Sequence, residues 1–165
     1  MYRYWVTSHL AGGSIPEDER DYEDLRELGF KVIVSLVEDW EYEYYTGMSC
    51  DHVKRLVERL GMKLVRKPVP DGHAPDVESM LEICNLIKEL EARCCKVLVH
   101  CVGGLGRTPT VLAAYLMYSR RLDLYTALRS LQRVNPEMEL TETQFNALTH
   151  LEKFLRERRG SATSL

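Results

Sequence analysis

Residues 99–110 read VHCVGGLGRTPT, and this dozen decides the fold. The run just before and into it, KVLVH at 96–100, is apolar and rich in valine, the pattern of a buried strand. Cys101 follows, then Val102, Gly103, Gly104, Leu105 and Gly106. Arg107 and Thr108 open a helix, with Pro109 in its first turn, where a missing N–H costs nothing. A strand passing through a glycine-rich turn into a helix is a unit of parallel α/β sheets. Such sheets bind ligands at the carboxyl ends of their strands.

Outward from this unit, the chain alternates short β-branched runs with helical patterns. Strands are expected at 3–7, at 31–36 (KVIVSL) and at 63–69. Helices are expected at 17–28, stopping at Gly29, and at 50–60, stopping at Gly61. Asp76 can cap a third helix reaching Ala92, with Val77, Met80, Leu81, Cys84, Ile87 and Leu90 at helical spacing. Beyond the last strand everything reads helical: 108–119, then 124–134 after Asp123, then 141–158. The last opens with a Thr-x-x-Gln capping box formed by Thr141 and Gln144. The expectation is a single α/β domain over 1–165, a central mostly parallel sheet of four to five strands flanked by about six helices.

Composition agrees. A chain of 165 residues, 45% hydrophobic with net charge −3, is neither disordered nor a bulk-charge nucleic-acid binder. Its most apolar stretch, near 110–118, falls far short of the roughly 18 residues of a membrane span. The opening MYRYWVTSHL does not read as a signal peptide. The five cysteines form no CxxC pair and no metal-ligand spacing, so no metal or cofactor is expected and a reducing, cytoplasmic setting is. The expected state is a monomer.

The glycines let the backbone after Cys101 curl until its N–H groups point inward, and the following helix adds the partial positive charge of its N-terminus. This makes a bowl for a tetrahedral dianion, formed by residues 102–106 and closed by the planar fork of Arg107. The same donors stabilise a thiolate at Cys101, in line for attack on a bound phosphorus. Three other readings stand beside this one: passive nucleotide binding, half of a metal site at His100 and Cys101, and a structural thiol. The GxGxxG and GxxxxGK[ST] patterns are absent.

Hydrolysis of a phosphomonoester also needs a proton for the leaving oxygen, and a carboxyl group on a mobile loop can supply it. Asp71 in KPVPDGHAP (67–75) follows a predicted strand and is flanked by Pro70 and Gly72, hinge-forming residues. It could instead form only an Asx-turn. Asp76 reads as a cap, and His73 as solvent-exposed.

The motif HCVGGLGRT matches HCxxGxxR[ST], the signature of the cysteine-dependent protein tyrosine phosphatase superfamily. The chain resembles its small atypical dual-specificity phosphatases over about residues 10–155, through LAGGSIP (10–16), VPDGHAP (69–75) and the helical tail with Gln144. It is similar to the compact single-domain archaeal members. CCKVLVHCVGGLGRTP (94–109) is also similar to the phosphatase of regenerating liver group, which usually has Ala where this chain has Thr108. The resemblance implies that Cys101 is the nucleophile, and that Asp71 acts first as general acid and then as general base. It implies that Thr108 gives its hydroxyl to the Cys101 sulfur as that sulfur leaves, and that His100 supports the loop. It also places Gln144 near the site. Thr108 could equally cap its helix, His100 could be a core histidine, and the capping box accounts for Gln144.

Residues 38–51 (EDWEYEYYTGMSCD) hold five acids, no base, and Trp40, Tyr42, Tyr44 and Tyr45. They read either as a solvated loop with a helix cap or as an aromatic, acidic wall beside the site. Glu38 or Asp39 could contact Arg107 or the acid loop. Within the bowl, residues 102–106 are all neutral, which argues for a single phosphate on a protein, phosphotyrosine first and phosphoserine or phosphothreonine next. Sulfurtransferases and arsenate reductases also carry Cys-x5-Arg loops, but neither predicts the Asp71 loop or Thr108.

Overall fold

In the computed structural model, which describes residues 1–163, twelve elements follow in order. They are β1 (Arg3–Trp5), β2 (Leu10–Gly13), α1 (Glu19–Glu27), β3 (Phe30–Ser35), α2 (Asp39–Thr46), α3 (Cys50–Arg59), β4 (Lys63–Arg66), α4 (Val77–Ala92), β5 (Lys96–His100), α5 (Arg107–Arg120), α6 (Leu124–Val134) and α7 (Glu142–Thr163). The five strands form one sheet in the order β1-β2-β5-β3-β4, antiparallel between β1 and β2 and parallel elsewhere. The glycine-rich turn after β5 therefore opens at the carboxyl end of the middle strand, beside the end of β3.

Alternate residues of the central strands feed two cores. Val32, Val34, Val97 and Val99 face α4–α7, while Ile33 and Leu98 face the side of α1 and α3. Helix α5 runs through the larger core, buried at every position from Arg107 to Met117. The caps follow the sequence signals: Asp76 accepts from the Ser79 N–H and Asp123 from the Thr126 N–H. Gly29 and Gly61 end α1 and α3 with positive φ.

Four features differ from the sequence expectation. β2 went unpredicted because LAGG is buried throughout, between β1 and β5, and shows no alternation. α2 is a seventh helix among the described residues, where about six were expected. It buries only Glu41 and Tyr42, too little for an apolar stripe. β4 stops at Arg66 rather than 69, since Pro68 and Pro70 cannot donate to a ladder. α7 runs on past 158.

Candidate active site

The turn from β5 into α5 is held from outside by its carbonyl groups. The Val102 carbonyl accepts from the Ile15 N–H (2.9 Å), and that of Leu105 from the Glu139 N–H (2.9 Å). The Gly104 carbonyl accepts both Tyr4 Oη (3.1 Å) and Asn135 Nδ2 (3.1 Å), and the Gly106 carbonyl accepts the Thr110 hydroxyl (2.7 Å). In a trans peptide the C=O and N–H point opposite ways. Outward carbonyls at 102, 104, 105 and 106 therefore turn the N–H groups of 103, 105, 106 and 107 inward. The Gly104 N–H already reaches Cys101 Sγ at 3.2 Å. Gly104 itself sits at φ +77°, and a Cβ there would lie 2.8 Å from the Gly13 carbonyl carbon, so only glycine fits.

Arg107 closes the bowl, and its grip comes from a residue the sequence did not single out. Glu41, on α2, holds it end-on: Nη1 to Oε1 at 2.7 Å and Nη2 to Oε2 at 2.8 Å. Nη1 also donates to the Val69 carbonyl (2.8 Å), and both side chains are only 2% exposed. Burial pushes Glu41 up, but the hydrogen bonds and charge of Arg107, the Glu38 N–H and the charge of Arg66 together outweigh it and hold the carboxyl below its ordinary range. Burial likewise pushes Arg107 down, and Glu41 and the Cys101 sulfur more than reverse this. The Nε–H of Arg107 is left with no hydrogen-bond partner, and Arg107 lines the cavity. The side edge of the guanidinium, with Nε at one end, is thus presented to a ligand.

Neither Glu38 nor Asp39 has a hydrogen bond or ion pair to Arg107 or to the acid loop. Glu38 starts α2, its N–H donating to Glu41 Oε1 (2.9 Å) and its carboxylate accepting the Trp40 indole N–H (2.9 Å). Asp39 pairs with Arg66. Nothing in chain order ranks Glu41 above its acidic neighbours; the Glu-x-x-Glu spacing that opens α2 was the available signal.

Asp71 lines the same cavity, of about 410 Å³, as Cys101 and Arg107. Its Oδ1 is 3.7 Å from Arg107 Nε, yet its side chain is 84% exposed, whereas Cys101 is 3% exposed. The acid loop is tied at two further points. Thr141 Oγ1 donates to the Gly72 carbonyl (2.7 Å), and Gln144 Nε2 to the His73 carbonyl (3.1 Å). Gln144 and Thr141 also complete the capping box, through the Thr141 N–H to Oε1 and the Gln144 N–H to Oγ1. Gln144 is therefore both cap and tether. The His73 side chain is exposed, as read from the sequence.

His100 is fully buried behind the bowl. Its Nδ1 carries the proton, because its partner is the Cys101 carbonyl (2.9 Å), which only accepts. A row of donors then closes behind it: Arg66 Nη1 to Ser35 Oγ (3.3 Å), Ser35 to Tyr42 Oη (2.7 Å), and Tyr42 to His100 Nε2 (3.4 Å). Burial lowers the imidazole to about 4, so it is neutral near pH 7. Thr108 is buried at the second position of α5, and its hydroxyl lies 3.5 Å from the Gly13 carbonyl. It does not cap the helix; Gly106 holds that place.

The sequence pattern of the family described as polymorphic toxin system, DSP-PTPase phosphatase matches residues 10–121, two thirds of the chain. The chain belongs to the dual-specificity phosphatase family. Within that family, it is 37% identical to Tk-PTP in its active-form crystal structure, covering 92% of this chain and 96% of that one at a TM-score of 0.81. Kinase associated phosphatase, crystallised with its catalytic-site cysteine replaced by serine, is 25% identical with a TM-score of 0.81, over 89% of this chain and 87% of that one. Cyclin-dependent kinase inhibitor 3 of Sus scrofa is 33% identical over 104 residues, which is 61% of this chain and 46% of that protein. The chain thus spans about half the length of this curated relative. These likenesses make it a small atypical member of the dual-specificity phosphatase family.

Proposed function

We propose that this family member is a protein phosphatase, hydrolysing phosphotyrosine first and phosphoserine or phosphothreonine next, through a phosphocysteine on Cys101. The observation that carries the reading is the buried Nε–H of Arg107, which has no hydrogen-bond partner and lines the same cavity as Cys101, with the loop carbonyls of 102, 104, 105 and 106 bound from outside. A buried donor without a partner is rare and costly unless a ligand completes it.

In the proposed reaction, the Cys101 thiolate attacks phosphorus while the inward N–H groups and Arg107 bind the equatorial oxygens. The P–O bond breaks, and the leaving oxygen takes its proton from the Asp71 carboxyl. Water then attacks the phosphocysteine and gives a proton to the Asp71 carboxylate. The P–S bond breaks, and the sulfur leaves as thiolate beside the Gly104 N–H, with the Thr108 hydroxyl turning to it from the Gly13 carbonyl. Positioning and fixed dipoles supply most of the acceleration, because a loose phosphoryl transition state asks little else of the protein. His100 holds the Cys101 carbonyl, Glu41 orients Arg107, and Gln144 anchors the acid loop. The reading takes residues 1–165 as one catalytic domain with phosphorylated proteins as partners. Among the described residues no helix is long and apolar enough to cross a membrane, and a cytoplasmic setting belongs to the proposal.

Hydrolysis of p-nitrophenyl phosphate and of phosphotyrosine and phosphothreonine peptides tests it. Cys101→Ser is expected to abolish turnover yet still bind vanadate, and Asp71→Asn to lower kcat by about 10² to 10⁴. Turnover retained by Cys101→Ser overturns the mechanism.

A further inference from the structure

The mouth of the cavity carries charge that phosphate binding does not require. Glu137 and Glu139 stand on its rim, both exposed, and among the described residues neither has an ion-pair partner. They belong to the segment between α6 and α7, which is fastened to the bowl twice, through Asn135 Nδ2 to the Gly104 carbonyl and the Glu139 N–H to the Leu105 carbonyl. The backbone that carries them is therefore fixed relative to the bowl, which keeps both carboxylates near the cavity mouth. Asp71 adds a third acid at the same mouth, and among the described residues Arg107 is the only cation in the lining.

The single cation faces inward and the acids stand around it. The Arg107 side chain is 2% exposed and its Nε–H has no hydrogen-bond partner, which leaves room for one phosphate at the floor. Whatever surrounds that phosphate lies among three carboxylates. Further phosphates would be repelled, while ammonium or guanidinium groups on either side would be attracted. The half-exposed ring of Tyr45, one helical turn from Glu41 on the same face of α2, lines the mouth with Leu140 and offers apolar contact to an aromatic ring.

Resting on the phosphatase reading of this site, we propose that Glu137 and Glu139 select phosphotyrosine segments of proteins flanked by Lys or Arg, and exclude phosphoesters that carry several phosphates. The test compares kcat/KM for two phosphotyrosine peptides of equal length, one with Lys and Arg flanks and one with Glu flanks. Inositol bisphosphate serves as the polyanionic substrate and p-nitrophenyl phosphate as the flank-free one. The basic peptide is expected to be favoured roughly three- to tenfold at low salt, a margin that shrinks in 0.5 M NaCl as about 4 Å screening sets in. In Glu137→Gln/Glu139→Gln the ratio is expected to fall to about one, and in Glu137→Lys/Glu139→Lys to invert. An equal ratio in wild type and variants, or a preference for the acidic peptide or inositol bisphosphate, overturns the proposal. Should a variant fail to fold, the salt dependence of the wild-type ratio still decides it. Absence of p-nitrophenyl phosphate hydrolysis in the wild type would overturn the phosphatase reading itself, whereas hydrolysis without a flank preference overturns only the selection.

Discussion

The bowl and the acid loop contribute to one cavity but are built in opposite ways. Around the bowl, carbonyl after carbonyl is bound from outside, Arg107 is gripped end-on by a buried carboxylate, and the sulfur is 3% exposed. The acid loop crosses the same opening with its carboxyl 84% exposed and only a few ties to the body of the protein. A nucleophile and the donors that stabilise charge must be placed in advance. A proton donor must reach a leaving group and then admit water, and that calls for a segment with room to move.

The contrast breaks most sharply at Glu41. Glu41→Gln leaves the buried Arg107 without its counter-charge, and loss of one member of a buried pair costs about 3 to 5 kcal/mol. Chemical denaturation should show that loss together with weakened vanadate binding. Unchanged stability would mean that the bowl does not depend on this pair.

The second prediction concerns pH. The folded-state value of His100 lies near 4, below its ordinary 6.5. Its contribution is therefore intact above about pH 6.5, where both states are neutral, and is lost as pH falls toward 4 because the unfolded chain takes up the proton first. The loss amounts to about 3 kcal/mol across that window. Glu41, held below its ordinary range, adds its own loss at the acid end. His100→Asn should flatten the upper part of this slope in urea titrations from pH 7 to 4; a slope equal to the wild type's would remove His100 as the source.

The smallest effect belongs to the acid loop. Thr141→Val removes the tie to Gly72 and the cap of α7, at about 1 to 2 kcal/mol together. Turnover is expected to fall a few-fold with little change in vanadate affinity, as stopped-flow and binding assays would show. Equal losses in both would place the tie on the bowl rather than on the loop.

How much of this was legible in the sequence follows the same division. The bowl was readable because local chemistry specifies it: three glycines, a cysteine and an arginine lie within seven positions. The place of Asp71 at the cavity was readable from its prolines and its position after a strand. What the sequence hid is pairing at a distance. Glu41 meets Arg107 across 66 positions, and Asn135 meets Gly104 across 31. α2 was hidden because it buries a carboxylate and a tyrosine instead of an apolar stripe. β2 was hidden because a short strand buried on both sides has no period to read.

The Gly104 carbonyl receives a hydroxyl from β1 and an amide from the residue that ends α6, contacts 100 and 31 positions away. The curvature that gives Cys101 its donors is therefore set only when β1 and the residue that follows α6 have both come home. Until then the Gly104 N–H is not held against the Cys101 sulfur. The bowl is thus a reporter of long-range assembly: a molecule that has lost β1 or the segment after α6 has lost the contacts that shape it.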